Sequence, residues 1–268
     1  MPAQPKGSRI PFFMVAAAAD ADEALRVLSR IIPHLGLDQP VYGLQPRWLD
    51  GHSEPYSDVQ ETALDLFAEL RAVQPKGPYL LGGNCAGGVI ALAIAQELIR
   101  RGEEVRLLVM LDTFRPSAIR SFAFDIFLRF YNAQLRAKHI GSVIGHLVNA
   151  DRRSRVQVVR DVIDRKLRGN RAKTPEELAF LRISKLNLDY ARAIYQHKLK
   201  KYPGRITLIV NEKQYRGFDQ SMGWNGVASE GLEVISTPGD HWTRFLHGEE
   251  LGKRLAACIA RCSPETTS

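Results

Sequence analysis

Short apolar runs alternate with amphipathic stretches along most of this 268-residue chain. That alternation predicts a mostly parallel sheet with helices on its faces. Residues 10–16 predict a first strand. Asp20, followed three positions later by Glu23, has the form of a capping box and opens a helix over about 21–34. Residues 41–44 predict a short second strand, and Ser57 with Gln60 begins a helix that reaches about Val73. Gln74-Pro75-Lys76-Gly77 ends it. Next come a strand at 78–82, a helix at about 86–101 and a strand at 105–112, with Arg-Arg-Gly-Glu-Glu as the helix stop and turn between the last two.

After Asp112 the alternation breaks. From 117 to about 201 the pattern is helix-like only; within it, Thr174, Pro175 and Glu177 mark one helix start. Strands resume at 205–210 and 232–237, and a last helix covers about 248–261. The expected organisation is therefore an α/β core of residues 1–116 and 202–268, interrupted by a helical insertion at 117–201. No internal repeat or low-complexity tract interrupts it.

Composition changes little in this picture. The chain is long enough to bury a full core, and its 45% hydrophobic and 25% charged residues are ordinary for a soluble globular protein. No apolar run approaches the roughly 20 residues of a membrane span. The opening MPAQPKGSRIPFF lacks the apolar region of a signal peptide. Three cysteines, Cys85, Cys258 and Cys262, are too few for a disulfide framework, so a cytoplasmic, reducing setting is expected. Cys258 and Cys262 stand four apart on one helix face, where core packing is the expectation rather than a metal site.

Charge changes it more. The net charge is +8, but residues 115–205 carry 21 Lys and Arg against 7 Asp and Glu, so the insertion is basic and the remainder acidic. A basic segment raises nucleic acid as a partner, yet neither zinc-finger spacing nor an RNP-like aromatic signature accompanies it. A solvated helical face or a surface for an acidic protein remains.

The candidate chemistry lies in Gly83-Asn84-Cys85-Ala86-Gly87, a G-x-C-x-G sequence between a predicted strand and a predicted helix. A nucleophile elbow has this order: small neighbours let strand and helix pass closely, and the turn exposes the nucleophile at the sheet edge. The helix N-terminus then favours a thiolate and an oxyanion beside it. The alternative is a buried structural cysteine beside a glycine turn. A thiol nucleophile needs a base, and the base an orienting acid. Five histidines follow Cys85: His139, His146 and His197 in the insertion, His241 in a Gly-Asp-His turn after the last strand, and His247 at the start of the last helix. His241 is the candidate base. Asp112, ending an apolar strand at the edge where such sites gather, is the candidate acid. Glu212 and Asp219 are its rivals, and Asp240 shapes the turn beside the base.

Four stretches, VYGLQPRWLDG, YLLGGNCAGGVIALAIAQELIRRGEEVRLLVMLDT, YPGRITLIV and GDHW, together resemble the thioesterase domains that terminate nonribosomal peptide and polyketide synthases. The resemblance covers nearly the whole chain and implies an α/β-hydrolase fold, with a helical lid inserted directly after the acid. It favours Asp112, 27 residues past Cys85, over Glu212 and Asp219. Two departures stand out. Most members carry serine in the elbow, where this chain has Cys85. The glycine-rich loop after the first strand, which commonly donates one oxyanion-hole N–H, is replaced by MVAAAADAD. Backbone donors survive side-chain changes, so Ala17 or Ala18 is expected to serve together with Ala86.

The resemblance implies no cofactor of the chain's own. Its substrate would be an acyl or peptidyl chain delivered on the phosphopantetheine of a carrier protein, with no nucleic-acid or membrane partner. The expected reaction is hydrolysis, cyclisation or transfer through an acyl-Cys85 thioester, which keeps most of the acyl-transfer potential. Two alternatives are a cysteine hydrolase of small esters or lactones and a catalytically silent carrier-binding module.

Overall fold

The structure, a computed structural model, describes residues 1–16, 27–47, 56, 58–116, 182, 185, 189–212, 219–239 and 248–262. Its strands are β1 (Pro2–Gln4), β2 (Phe12–Val15), β3 (Val41–Leu44), β4 (Tyr79–Asn84), β5 (Val105–Leu111), β6 (Ile206–Asn211) and β7 (Leu232–Thr237). They form one sheet in the order β1-β3-β2-β4-β5-β6-β7. Every pairing from β3 to β7 is parallel; only β1 runs antiparallel, against β3. Three full helices are described: α1 (Val59–Val73), α2 (Ala86–Arg100) and α3 (Gly248–Cys262).

The central strands β2, β4 and β6 are buried along their whole length, as a parallel sheet covered on both faces requires. The edge strand β7 is only partly covered. On one face Phe12, Met14, Leu80 and Val109 pack with Val27, Leu28 and Ile31 and with Leu251, Leu255, Cys258 and Ile259 of α3. Burial of each large apolar side chain stabilises by about 1.5–3 kcal/mol. α2 lies against β2, β4 and β5, with α1 packed beside it. Cys258 sits within the core cluster and Cys262 packs against it, its thiol donating to the Arg106 carbonyl at 3.3 Å. Both are free thiols, and burial pushes both up from the usual cysteine range.

Several boundaries differ from the sequence expectation for physical reasons. β1 was not expected; its three residues are too short to show a pattern and are held by pairing with β3. The cap of α1 is Asp58 rather than Ser57: its carboxylate accepts from the Gln60 N–H at 2.9 Å. β4 runs two residues past the expected end because Gly83 and Asn84 pair with Met110 and Leu111 of β5. The expected first helix is described from residue 27, continues to 31 and ends in a 3-10 turn at Ile32–His34; its Asp20–Glu23 cap lies outside the described residues.

The chain divides into two compact units. One comprises Met1–Ile119 with Asp189–Ser268, and so holds the whole sheet; the other comprises Arg120–Leu188, of which Arg182 and Lys185 are described. The helical residues 189–196 belong to the sheet unit. Among the described residues, no helix is long and apolar enough to cross a membrane.

Candidate active site

Cys85 occupies the single residue between β4 and α2, at φ 51° and ψ −121°. A non-glycine residue at positive φ is strained by of order 1–3 kcal/mol and persists only where its surroundings impose it. Here they do. The Cys85 N–H donates to the Leu111 carbonyl at 2.8 Å, which ties the turn to the end of β5. Its own carbonyl accepts twice, from the Gly88 N–H at 3.1 Å and from the Thr113 hydroxyl at 2.9 Å. The glycines permit the tight passage: a methyl group on Gly83 would overlap the Gly87 carbonyl, and one on Gly87 would lie 2.5 Å from the Val15 carbonyl oxygen. Cys85 is half-buried, and its thiol is free.

The start of α2 places its first N–H groups, Ala86 among them, without intrahelical acceptors beside Cys85. That end of the helix dipole favours negative charge. The close approach of Gly87 to Val15 and Ala16 brings the exit of β2 against the same helix end. Ala17 and Ala18, which continue that exit, lie outside the described residues, as do His241, Asp240 and His247.

Asp112 follows β5 directly, at φ 51° and 1% exposure. Its N–H donates to the Ile209 carbonyl at 2.9 Å, so the turn that carries the carboxylate is fixed to β6. Both carboxylate oxygens accept from Asn211, the last residue of β6: one from its backbone N–H at 3.4 Å, the other from its side-chain amide. The rivals sit elsewhere. Glu212 is exposed, and the exposed Asp219 closes a local turn by accepting from the backbone N–H and hydroxyl of Ser221, which hold its carboxyl below the usual range.

Thr113 joins the Cys85 turn to the end of β5 a second time. It is fully buried; its hydroxyl holds the Cys85 carbonyl while its own carbonyl accepts from the Trp224 indole N–H at 2.7 Å. Sequence reasoning missed Thr113, Asn211 and Trp224. Only Asn211 left a signal, as a polar residue ending an apolar strand at the same edge as Asp112. Burial pushes the phenol of Tyr190 well above the usual range, with a smaller contribution from Cys85. The His197 imidazole is pushed down by burial and partly restored by Asp58 at the start of α1. Among the described residues no group of three or more His, Cys, Asp and Glu could hold a metal ion.

Residues 16–124 match the family model for the Thioesterase domain. Malpinin synthetase of Mortierella alpina is 38% identical over 123 residues, 46% of this chain but 2% of that protein. A dimodular nonribosomal peptide synthase of Bacillus subtilis (strain 168) is 37% identical over 114 residues, 42% of this chain and 5% of that protein. The chain thus spans a small part of the curated relatives it matches. Among solved structures, the NocB thioesterase domain in covalent complex with a fluorophosphonate nocardicin G analog superposes with a TM-score of 0.65 at 20% identity, covering 98% of each chain. The sheet order, the elbow and these likenesses agree: the chain has an α/β-hydrolase fold, and its residues 16–124 match the Thioesterase domain.

Proposed function

We propose that the protein is a thioesterase that releases an acyl or peptidyl chain from the phosphopantetheine arm of a carrier protein, through an acyl-Cys85 intermediate. The observation that carries this reading is the strained Cys85 turn at the start of α2, hydrogen-bonded to the end of β5, which leads directly into buried Asp112. The matches to synthases support the substrate class: Malpinin synthetase and the dimodular peptide synthase are each similar to part of this chain, and the Thioesterase domain model matches residues 16–124, which include the elbow.

In the proposed cycle His241, oriented by Asp112, accepts the Cys85 thiol proton. The thiolate attacks the acyl carbonyl, and the backbone N–H groups of Ala86 and of Ala17 or Ala18 hold the oxyanion. The carbon–sulfur bond to pantetheine breaks, and the departing sulfur takes the proton from the His241 imidazolium. Water, or a nucleophile within the acyl chain, then attacks the Cys85 thioester; His241 accepts its proton and Cys85 leaves as the thiolate. Because the intermediate is a thioester, little acyl-transfer potential is lost on loading, which favours cyclisation or transfer over plain hydrolysis. The chain carries no cofactor of its own in this cycle. The excess of basic residues at 115–205 suits docking of an acidic carrier protein.

Intact mass after incubation with an acyl-pantetheine thioester tests the reading. An acyl adduct is expected on the native protein, absent from Cys85→Ala and present as an oxoester on Cys85→Ser. Absence of both adduct and turnover across varied acyl chains would refute it, in favour of a silent module or a small-ester hydrolase.

A further inference from the structure

Asn211 stands where β6 meets the catalytic edge, one strand beyond the acid. It is 3% exposed, and its backbone N–H and side-chain amide are engaged along one line. Its backbone N–H and side-chain amide both donate to the Asp112 carboxylate, one to each oxygen. Its side-chain oxygen lies 3.4 Å from the Thr237 hydroxyl at the end of β7, and that hydroxyl is 3.1 Å from the Val210 carbonyl. A carboxylate only accepts, so the amide must turn its NH2 group to Asp112, and the hydroxyl on the far side suits its oxygen. The line Thr237–Asn211–Asp112 therefore runs across the ends of three adjacent strands, β7, β6 and β5.

We propose that Asn211 is the positioning residue of the acid: it fixes the rotamer of Asp112 and holds its carboxylate as an acceptor, while the Thr237 hydroxyl, whose one hydrogen goes mainly to the Val210 carbonyl, supports the far side of the amide. The proposal rests on the reading of Asp112 as the triad acid. Asn211 does not touch the reacting atoms; it acts through Asp112. A buried carboxylate with two N–H donors is oriented and favoured in its charged form, whereas one without them turns to other partners. Among the described residues, the titratable groups on the neighbouring strand ends are Cys85 after β4 and the exposed Glu212 after β6.

Asn211→Asp, nearly identical in shape, supplies a readout that loss of packing would not give. It sets two carboxylates side by side, and such a pair retains one shared proton up to a raised pH. While that proton is present, residue 211 still donates to Asp112; once it is lost, the two repel. The probe is iodoacetamide, followed across pH by the mass of the tryptic peptide 77–100, which contains Cys85 and neither of the other cysteines. The expected result is an Asn211→Asp rate close to native at the acid end, falling relative to native in one new step as pH rises. Asn211→Leu should be slowed about tenfold at every pH, and Thr237→Val by a smaller factor, each with a native circular dichroism spectrum. An Asn211→Asp profile that parallels the native one, or rises relative to it, would overturn the proposal even if Asn211→Leu failed to fold. Alkylation requires no acyl substrate, so it stays readable if the thioesterase reading fails; Asp112→Asn, run alongside, should also be slowed, and a native profile there would remove the acid and the proposal with it.

Discussion

Replacing Thr113 with valine keeps the shape of a fully buried side chain and removes one hydroxyl. The structure allows the cost to be worked through. The Cys85 carbonyl has two donors, the Thr113 hydroxyl at 2.9 Å and the Gly88 N–H at 3.1 Å, so it loses one bond and is not orphaned. That loss is worth about 0.5–1.5 kcal/mol. A methyl carbon cannot sit 2.9 Å from a carbonyl oxygen, so the turn must shift by a few tenths of an ångström, at a further cost of about 1 kcal/mol. The sum, about 2 kcal/mol, corresponds to a fall in Tm of about 4–8 °C for a chain of this size. Stability alone would not show that the hydroxyl serves the site. Thr113→Ser supplies the contrast: it keeps the hydroxyl and deletes a buried methyl, costing about 1 kcal/mol. Both variants should melt earlier. Only the valine variant should slow acylation of Cys85, by about tenfold, because only there does the strained φ of Cys85 lose an anchor. The assay pairs a thermal melt with the initial rate of adduct formation on an acyl-pantetheine thioester. Equal rates in the two variants, or a slower serine variant, would refute the reasoning.

Two further outcomes follow from described contacts. Gly87→Ala places a methyl 2.5 Å from the Val15 carbonyl oxygen, between two stretches of backbone that cannot turn aside. A loss of about 2–3 kcal/mol in a urea titration, with acylation of Cys85 abolished, is expected. The Glu97 carboxyl is pulled from its ordinary 4.5 to about 2, first by its hydrogen bond from Arg100 and then by that from Arg101. Its folded value is the lower one, so its contribution is present above about pH 4.5 and is lost as pH falls toward 2. With both arginines largely exposed the contribution is about 1 kcal/mol, and Glu97→Gln should remove it at pH 7 while leaving stability near pH 2 unchanged in acid melts.

How much of this was legible in the sequence depended on whether a residue's role was local. The β4–Cys85–α2 order could be read because strand, glycines and helix follow one another within a single stretch. Asp112 could be read because it ends an apolar run. Asn211 also ends one, but its contact with Asp112 spans 99 residues of chain. Thr113 and Trp224 are joined across 111 residues, and no periodicity reports such a bond. The end of β4 was misjudged because glycine and asparagine are poor strand formers; pairing with β5 overrode that preference. The cap of α1 was displaced by one residue because Asp58 and Ser57 are both good caps, and only the bond to Gln60 distinguishes them. The base proposed at His241 lies outside the described residues and rests on sequence alone.

The bonds from Cys85 to Leu111 and from Asp112 to Ile209 extend the ladder past the formal ends of β4 and β5. Cys85 and Asp112 are thereby set at the ends of neighbouring strands, with the separation of their backbones governed by the spacing of roughly 4.8 Å between those strands. Spacing of that kind is a property of peptide groups, indifferent to which side chains decorate the loops. The chain departs from the sheet just beyond this point and rejoins it at β6, so a change of length in the intervening segment does not re-register Cys85 against Asp112. A sheet wired in this way keeps the geometry of Cys85 and Asp112 independent of the sequence inserted between residues 117 and 188.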